Sequence, residues 1–294
     1  MLEEIQTIDK PKVNLSPLNN VIDKRDVHVI LLKVLNPSFK INGKPYNLKI
    51  CGKTMVEWVK SACGDCPITE VEYSEEDDLL ILIKSLMNLD FRYTVVLFSD
   101  TPLLQRATFK DIIDFVRLKN LTVAKLTRGY VFETAYLQTI DKLLAPQTYY
   151  FEEEDFMSCF NLKQYSLICD IMKNRILYYH MKNGVVIKDV SSTFIDADVL
   201  IGENVIVEPF NQILGNSKIG DGVKLESGNV LDNAIVLNDA KITNSIITNS
   251  VVGANSIVNA FCRIENKCII GNNCKIKSFT CLLDGKAVND NTEN

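Results

Sequence analysis

From Ile195 onward an aliphatic side chain returns at every sixth position: Ile195, Ile201, Val207, Ile213, Ile219, Leu225, Leu231 and Leu237. After a slip in phase the series resumes at Ile246, Val252, Val258, Ile264, Ile270, Ile276 and Leu282. Four positions after most of these comes a compact side chain, such as Val205, Ser217, Ser250, Cys262, Cys268 or Cys274. A longer period runs through the same stretch: aliphatic-Gly pairs stand 18 residues apart at Ile201-Gly202 and Ile219-Gly220, then at Val252-Gly253 and Ile270-Gly271. A helix needs a period of 3.6 and a half-buried strand a period of 2, and neither fits. Three hexapeptides per turn instead describe a triangular solenoid. Each hexapeptide gives one short strand and one corner, with the aliphatic residue filling the prism. Glycine once per coil marks unusual torsions or a close backbone approach. The pattern predicts a left-handed parallel β-helix of about five coils over residues 184–285. A bulge or loop is expected between Leu237 and Ile246, and a disordered tail over 286–294.

The preceding residues carry a different pattern. Val27–Leu32 is a continuous apolar run, as in a strand buried on both faces, and Tyr93–Phe98 is the clearest strand of the chain. Helices are expected over Thr54–Ala62, over Leu79–Leu89 with Ser74 and Asp77 as a cap, and over Thr108–Lys119 with Thr108 as its cap. Asn161–Met181 reads as one long helix, stopped by Asn183-Gly184, that connects two domains. Buried strands alternating with helices imply a parallel sheet with helices on its faces. Ligands of such sheets bind at the carboxyl ends of strands, where Asp100 stands. The expected organisation is an N-terminal extension (1–26), an α/β domain (27–160), a connector helix (161–183) and the solenoid.

Composition narrows the function classes. The 294 residues are 47% hydrophobic and 23% charged, enough for a real core. A net charge of −5 argues against nucleic acid or an anionic membrane as main partner. The first residues lack a basic stretch followed by an apolar one, and no segment is long and apolar enough to span a bilayer. Nine cysteines without an export signal read as reduced thiols in the cytoplasm. Cys262, Cys268 and Cys274 have metal-like spacing, but residues six apart lie on different faces of a prism, so they read as inward small positions. Cys63 and Cys66 form a lone CxxC, better read as a solvated loop than as a redox or zinc site.

These landmarks resemble the bifunctional N-acetylglucosamine-1-phosphate uridyltransferase / glucosamine-1-phosphate acetyltransferase family. Cys51-Gly52-Lys53-Thr54-Met55-Val56-Glu57 resembles its "VxGKPMVEH" stretch, and Val95–Leu104 its "VLVLxGDTPLL" strand and metal-binding turn. Most specific is His180–Gly202, similar to "KHMLNGVTIIDPxxTYIDADVxIG" at the helix-to-solenoid junction. The resemblance implies a shortened Rossmann-like nucleotidyltransferase domain ahead of the β-helix. It also implies a Mg²⁺ ion ligated by Asp100 and Asn161, and a sugar pocket of which Gly129, in Gly129-Tyr130-Val131-Phe132, is the surviving substrate-binding residue. The residues themselves leave bland alternatives: an aspartate before Thr-Pro is a common turn residue, and Asn161 could cap the connector helix.

The departures fall where the family does its chemistry. Its glycine-rich phosphate loop, "LAAGxGTRM", is replaced by Lys33-Val34-Leu35-Asn36-Pro37-Ser38-Phe39, with Phe39 near the expected arginine. The family's phosphate-contacting lysine falls on Tyr46, and its uracil-reading segment has no counterpart between Cys66 and Asp90. Lys33, Lys40 and Lys44 are the cations left to contact phosphate. For the acetyltransferase half, the only histidines are His28 and His180, neither in a coil, and the chain stops at Asn294, before the family's catalytic histidine would appear. An acyl transfer needs a base, and none is evident. The expectation is a truncated, divergent relative. It is catalytically silent, a structural or regulatory subunit in amino-sugar nucleotide and cell-wall precursor metabolism. The alternative is an active Mg²⁺-dependent uridyltransferase joining UTP and N-acetylglucosamine 1-phosphate. Either implies a homotrimer, with a nucleotide or sugar phosphate as the ligand class, and surplus apolar residues Ile235, Val236, Ile247 and Val251 as candidates for the subunit contact.

Overall fold

The computed structural model describes residues 26–36, 39, 44–143 and 146–293. Residues 1–25 of the expected N-terminal extension, and Pro37, Lys40 and Asn294, lie outside the described residues. The first described strand is β1 (Val27–Val34), followed by β2 (Lys49–Ile50), β3 (Lys53–Thr54), α1 (Met55–Cys63) and β4 (Ile68–Tyr73). Then come α2 (Leu79–Leu86), β5 (Tyr93–Phe98), α3 (Arg106–Leu118), β6 (Val123–Leu126), β7 (Gly129–Glu133), α4 (Thr134–Thr139) and the long α5 (Leu162–Lys182).

The sheet has the order β4-β1-β5-β7-β6. Strand β1 lies parallel between β4 and β5, which is why its residues and those of β5 are apolar on both faces. The sheet is not parallel throughout, as the alternation of elements implied. Only Thr127 and Arg128 separate β6 from β7, too short a link for a crossover, so the pair folds as an antiparallel hairpin against β5. Helices α1 and α3 cover one face through Val59, Phe109, Ile112 and Val116. Helices α2 and α4 cover the other through Leu80, Ile83 and Leu137.

The helix starts differ in how well residue type identified them. Thr54 caps α1 in a reciprocal box, Glu57 N donating to its hydroxyl at 3.2 Å and Thr54 N to the Glu57 carboxylate at 2.6 Å. At α2 the cap is Asp78, which accepts from Ile81 N; Ser74 and Asp77 close a turn just before it. Thr108 does not cap α3. The helix starts at Arg106, and the Thr108 hydroxyl is drawn to the buried Asp155 carboxylate at 2.5 Å. Cys63 and Cys66 are buried, outside any disulfide, rather than part of a solvated loop, because the turn between α1 and β4 folds both into the core. Burial pushes the Cys63 thiol up to about 12, which makes it unreactive.

After α5 the chain winds into a left-handed parallel β-helix of eighteen short strands, β8 (Val186–Ile187) to β25 (Ala287–Val288), arranged as three six-stranded sheets. There are six coils, against the five expected. The series starts one strand earlier, at Ile187, gains an inward position at Ile242, and ends one strand later, at Val288, which pairs with Ile270. Residues 286–293 therefore belong to the solenoid, and Glu293 pairs with Lys275 at 3.1 Å. The slip in phase is neither a bulge nor a loop. Three steps between inward residues are five residues long: Leu231 to Val236, Ile242 to Ile247 and Ile247 to Val252. The inward residues are therefore Val236 (1% exposed) and Ile247 (0%), whereas Leu237 (41%) and Ile246 (44%) face out. Val236 and Ile247 accordingly drop out of the surplus surface, and Ile235 and Val251 remain on it.

The per-coil glycines serve close approach. A Cβ on Gly253 would stand 2.2 Å from the Gly271 carbonyl oxygen of the next coil. The left-handed torsions fall instead on corner residues such as Asn204, Asn255 and Asn273. Inward small residues satisfy the corner amides: Cys268 N donates to Ser250 Oγ and Cys274 N to Ser256 Oγ. Cys262, Cys268 and Cys274 are buried free thiols at these positions. Among the described residues no group of three or more His, Cys, Asp or Glu side chains could hold a metal ion. No described helix is long and apolar enough to cross a membrane.

Candidate functional site

The carboxyl ends of β1, β4 and β5 meet the β6–β7 hairpin and the start of α5, and Asp100 lies at this meeting point. The strand β5 runs out at Phe98, and Ser99 and Asp100 turn the chain inward. Ser99 Oγ accepts from Val34 N at 3.0 Å, and the Asp100 carbonyl accepts from Cys159 N at 2.8 Å. Asp100 is 2% exposed. A carboxylate buried that deeply needs a cationic partner or must protonate. Its partner is Arg128, from the two-residue hairpin turn. Arg128 Nη2 donates to Oδ2 at 2.7 Å and Nε to Oδ1 at 3.2 Å, a two-pronged pair. The guanidinium lies over the Phe98 ring at 4.1 Å, with the Phe160 ring 5.5 Å away. Burial pushes the Asp100 carboxyl above the usual aspartate range, while Arg128 pulls it down.

Asn161 stands at the start of α5, where its Oδ1 accepts from Gln164 N at 3.0 Å and caps the helix. The two residues expected to share a cation are thus each engaged, Asp100 by an arginine and Asn161 by a backbone amide. Gly129 follows Arg128 at φ +140°, and a Cβ there would come within 2.6 Å of the Val96 carbonyl oxygen. Its lack of a side chain is what lets β7 pair with β5.

The lysines expected to contact phosphate, where described, are paired as well. Lys44 Nζ lies 2.7 Å from Glu72 Oε1, and the Tyr46 hydroxyl donates to the same carboxylate oxygen. The Glu72 hydrogen bond raises the Lys44 ammonium above its ordinary range and keeps it charged. Lys33 sits 4.0 Å from Glu70 and over the Tyr46 ring. Phe39 is 2% exposed and packs with Ile50, Met55, Leu103, Cys159, Ile168 and Met172, so it anchors the loop to the connector helix.

The sequence motifs that match best meet each other away from this crevice. Ala197 N donates to the Cys51 carbonyl at 3.0 Å, Lys53 pairs with Asp198 at 2.6 Å, and a Cβ on Gly52 would sit 3.0 Å from Asp196 Cγ. The Cys51-Gly52-Lys53 turn and the Asp196-Ala197-Asp198 corner form the joint between sheet and solenoid. A second clasp had no signal in the sequence. Asp155 is fully buried; it accepts from Gln105 N, Gln105 Nε2 and Thr108 Oγ1, and pairs with Arg175 of α5 at 2.9 Å. Arg175 also donates to the Leu103 carbonyl at 2.6 Å. Asp155 lies in a run of acidic residues, Glu152-Glu153-Glu154-Asp155, which by itself reads as a solvated stretch.

Residues 193–292 match the family model described as the GMPPB C-terminal domain. Bifunctional protein GlmU of Staphylococcus saprophyticus is 53% identical over 49 residues, 17% of this chain and 11% of that protein. GlmU of Clostridium beijerinckii is 48% identical over 52 residues, covering 18% and 11%, and that of Listeria welshimeri 41% over 59, covering 20% and 13%. The match thus spans about an eighth of the length of these relatives. A GDP-perosamine N-acetyltransferase from Caulobacter crescentus, solved with CoA and GDP-perosamine, aligns over 91% of this chain and 92% of its own at 15% identity, with a TM-score of 0.35. The segmental identities show that short stretches of the chain are similar to GlmU.

Proposed function

We propose that this GlmU-like chain is a catalytically silent relative, serving as a structural or regulatory subunit in amino-sugar nucleotide and cell-wall precursor metabolism. We read its α/β unit as a shortened Rossmann-like nucleotidyltransferase domain. The observation that carries the proposal is the state of the crevice charges. Each described cation that could meet a phosphate, Lys33, Lys44 or Arg128, already faces a carboxylate. Phosphoryl transfer depends on cations held free for the developing charge, and a glycine-rich loop supplies the amides that cradle it. Here the corresponding loop ends in Phe39, anchored in the hydrophobic junction. The motifs that match the family best instead bind sheet to solenoid, which supports a role in holding a shape.

The assembly that accompanies this reading is a cytoplasmic homotrimer. One solenoid face supports it: Ile235, Val251 and Ile269 point outward from three successive strands of a single sheet, with Leu200 on the same face beyond Lys218. Sedimentation of the full chain tests it, with a trimer expected.

An active uridyltransferase is the second reading, favoured by Asp100 in its Ser-Asp-Thr-Pro turn at the strand end. The experiment that separates the two is pyrophosphate release from UTP, N-acetylglucosamine 1-phosphate and Mg²⁺, with Asp100→Ala as control. The silent reading expects no release from the folded protein. Release abolished by the substitution would replace it with the second reading.

A further inference from the structure

The resemblance assigns Mg²⁺ to Asp100 and Asn161, and the residues present do not fit that ion. A hard dication takes oxygen ligands in an octahedron and is usually held by one or two free carboxylates. Both Asp100 oxygens accept from Arg128, at 2.7 and 3.2 Å, and the Asn161 oxygen accepts the Gln164 amide. A metal at Asp100 would have to displace a guanidinium that is bound by two hydrogen bonds and lies over an aromatic ring. It would also sit beside that displaced positive charge.

We propose that Arg128 is a built-in cation that takes the place of the divalent metal and pins the sheet to the connector helix without one. Three observations converge on it. The carboxylate is buried and must have a positive partner, and Arg128 supplies it in two-pronged geometry. The guanidinium lies over the Phe98 ring, 4.1 Å from its centroid, at the end of β5. It also lies 5.5 Å from the ring of Phe160, whose carbonyl accepts from Asn36 Nδ2 at 3.2 Å and which directly precedes the cap of α5. A metal in such a site would join the strand end to the helix start through shared ligands. Arg128 makes the same junction through one ion pair and two ring contacts. Its position is also dictated by the backbone. Gly129 allows β7 to approach β5, and the two-residue turn then aims residue 128 across the strand ends. The inference goes beyond catalytic silence, since a chain could be silent and still bind a metal.

The test is Mn²⁺ binding to the full chain, read by the loss of the free-ion paramagnetic resonance signal, together with thermal melts in Mg²⁺ and in EDTA. The wild type is expected to take up no Mn²⁺ and to melt alike in both solutions. Arg128→Ala, which leaves Asp100 buried and unpaired, is expected to melt lower and to bind Mn²⁺ at least about tenfold more tightly than wild type, with Mg²⁺ restoring part of the lost midpoint. Asp100→Asn in that background should remove the metal response. Arg128→Lys keeps the charge but loses the fork and the guanidinium's ring contacts, and should melt between the two without gaining metal. Mn²⁺ uptake by the wild type that Asp100→Asn abolishes would overturn the proposal. So would an Arg128→Ala variant with an unchanged melt. Should Arg128→Ala fail to fold, the wild-type titration and Arg128→Lys still decide. Pyrophosphate release without metal uptake would remove the functional reading and leave this inference standing; the reverse pattern would do the opposite.

Discussion

The solenoid and the α/β domain show two ways in which a chain can stay close to its relatives. In the solenoid each inward residue repeats the environment of the one before, so Ile213, Leu231, Ile247 and Ile264 stack in one column with almost no exposure. Stability there is close to a sum over coils, and a substitution of similar size is tolerated anywhere along the column. In the α/β domain the charged positions form one-off pairs, Asp100 with Arg128 and Asp155 with Arg175, and each depends on residues distant in sequence. A repeat can lose a residue at a corner and keep its shape, as it does three times between Leu231 and Val252. Motif resemblance is stronger where geometry is repeated than where charges form one-off pairs.

The comparison can be broken most directly at the solenoid phase. Ile247→Ala should cost about 3 kcal/mol, since it empties a fully buried position in a close-packed column, whereas Leu237→Ala should stay within about 0.5 kcal/mol. Urea unfolding of the two variants checks this, and equal costs would mean that the five-residue steps are misplaced. In the α/β domain, Arg175→Ala should cost about 2 kcal/mol by removing the charge partner of buried Asp155. Three neutral donors remain there to soften the loss. Proteolysis at the α5 junction should quicken in the same variant.

A smaller effect belongs to the joint. Lys53→Ala removes a partly exposed pair with Asp198 and should cost about 0.5 kcal/mol, with the Cys51–Ala197 backbone bond keeping the joint closed. The smallest effect is the pH response of the histidines. Burial lowers both His28 and His180 below the ordinary value of 6.5, so the folded chain holds them neutral while the unfolded chain binds protons. Their contribution is complete above pH 6.5 and is lost as pH falls through that value. Melting midpoints should decline from pH 7.5 to 5.5, and His28→Leu should flatten the decline. His28 Nδ1 is buried without a hydrogen-bond partner, so that variant gives up the bond to Thr69 and the ring contact with Phe91.

Much of the fold was legible because burial leaves a periodic trace. The strand β5 matched its apolar run to the residue, and the helix expected over Thr54–Ala62 is α1, started by an unforeseen capping box at Thr54 and Glu57. Thr108 shows the limit. Its residue type suits a helix cap, but a carboxylate 47 positions away claimed the hydroxyl. The same limit applied to Cys63 and Cys66, whose spacing says nothing about the α3 residues that cover them.

Of the candidate site, the loss of the phosphate loop was readable, since a glycine or an arginine is either present or not. Which charge stands against which was not. Arg128 carries no motif of its own, and its role follows only from the antiparallel return of β7, which a two-residue turn permits and a crossover would have prevented. The sequence by itself determined the solenoid, its interior columns and the strands buried on both faces, because these rest on local period and composition. The tertiary structure alone decided the coil phase at Val236 and Ile247, the clasp at Asp155 and the pairing of Asp100 with Arg128. Each of these joins residues through space, and the energy of a buried charge depends on what stands a few ångströms away.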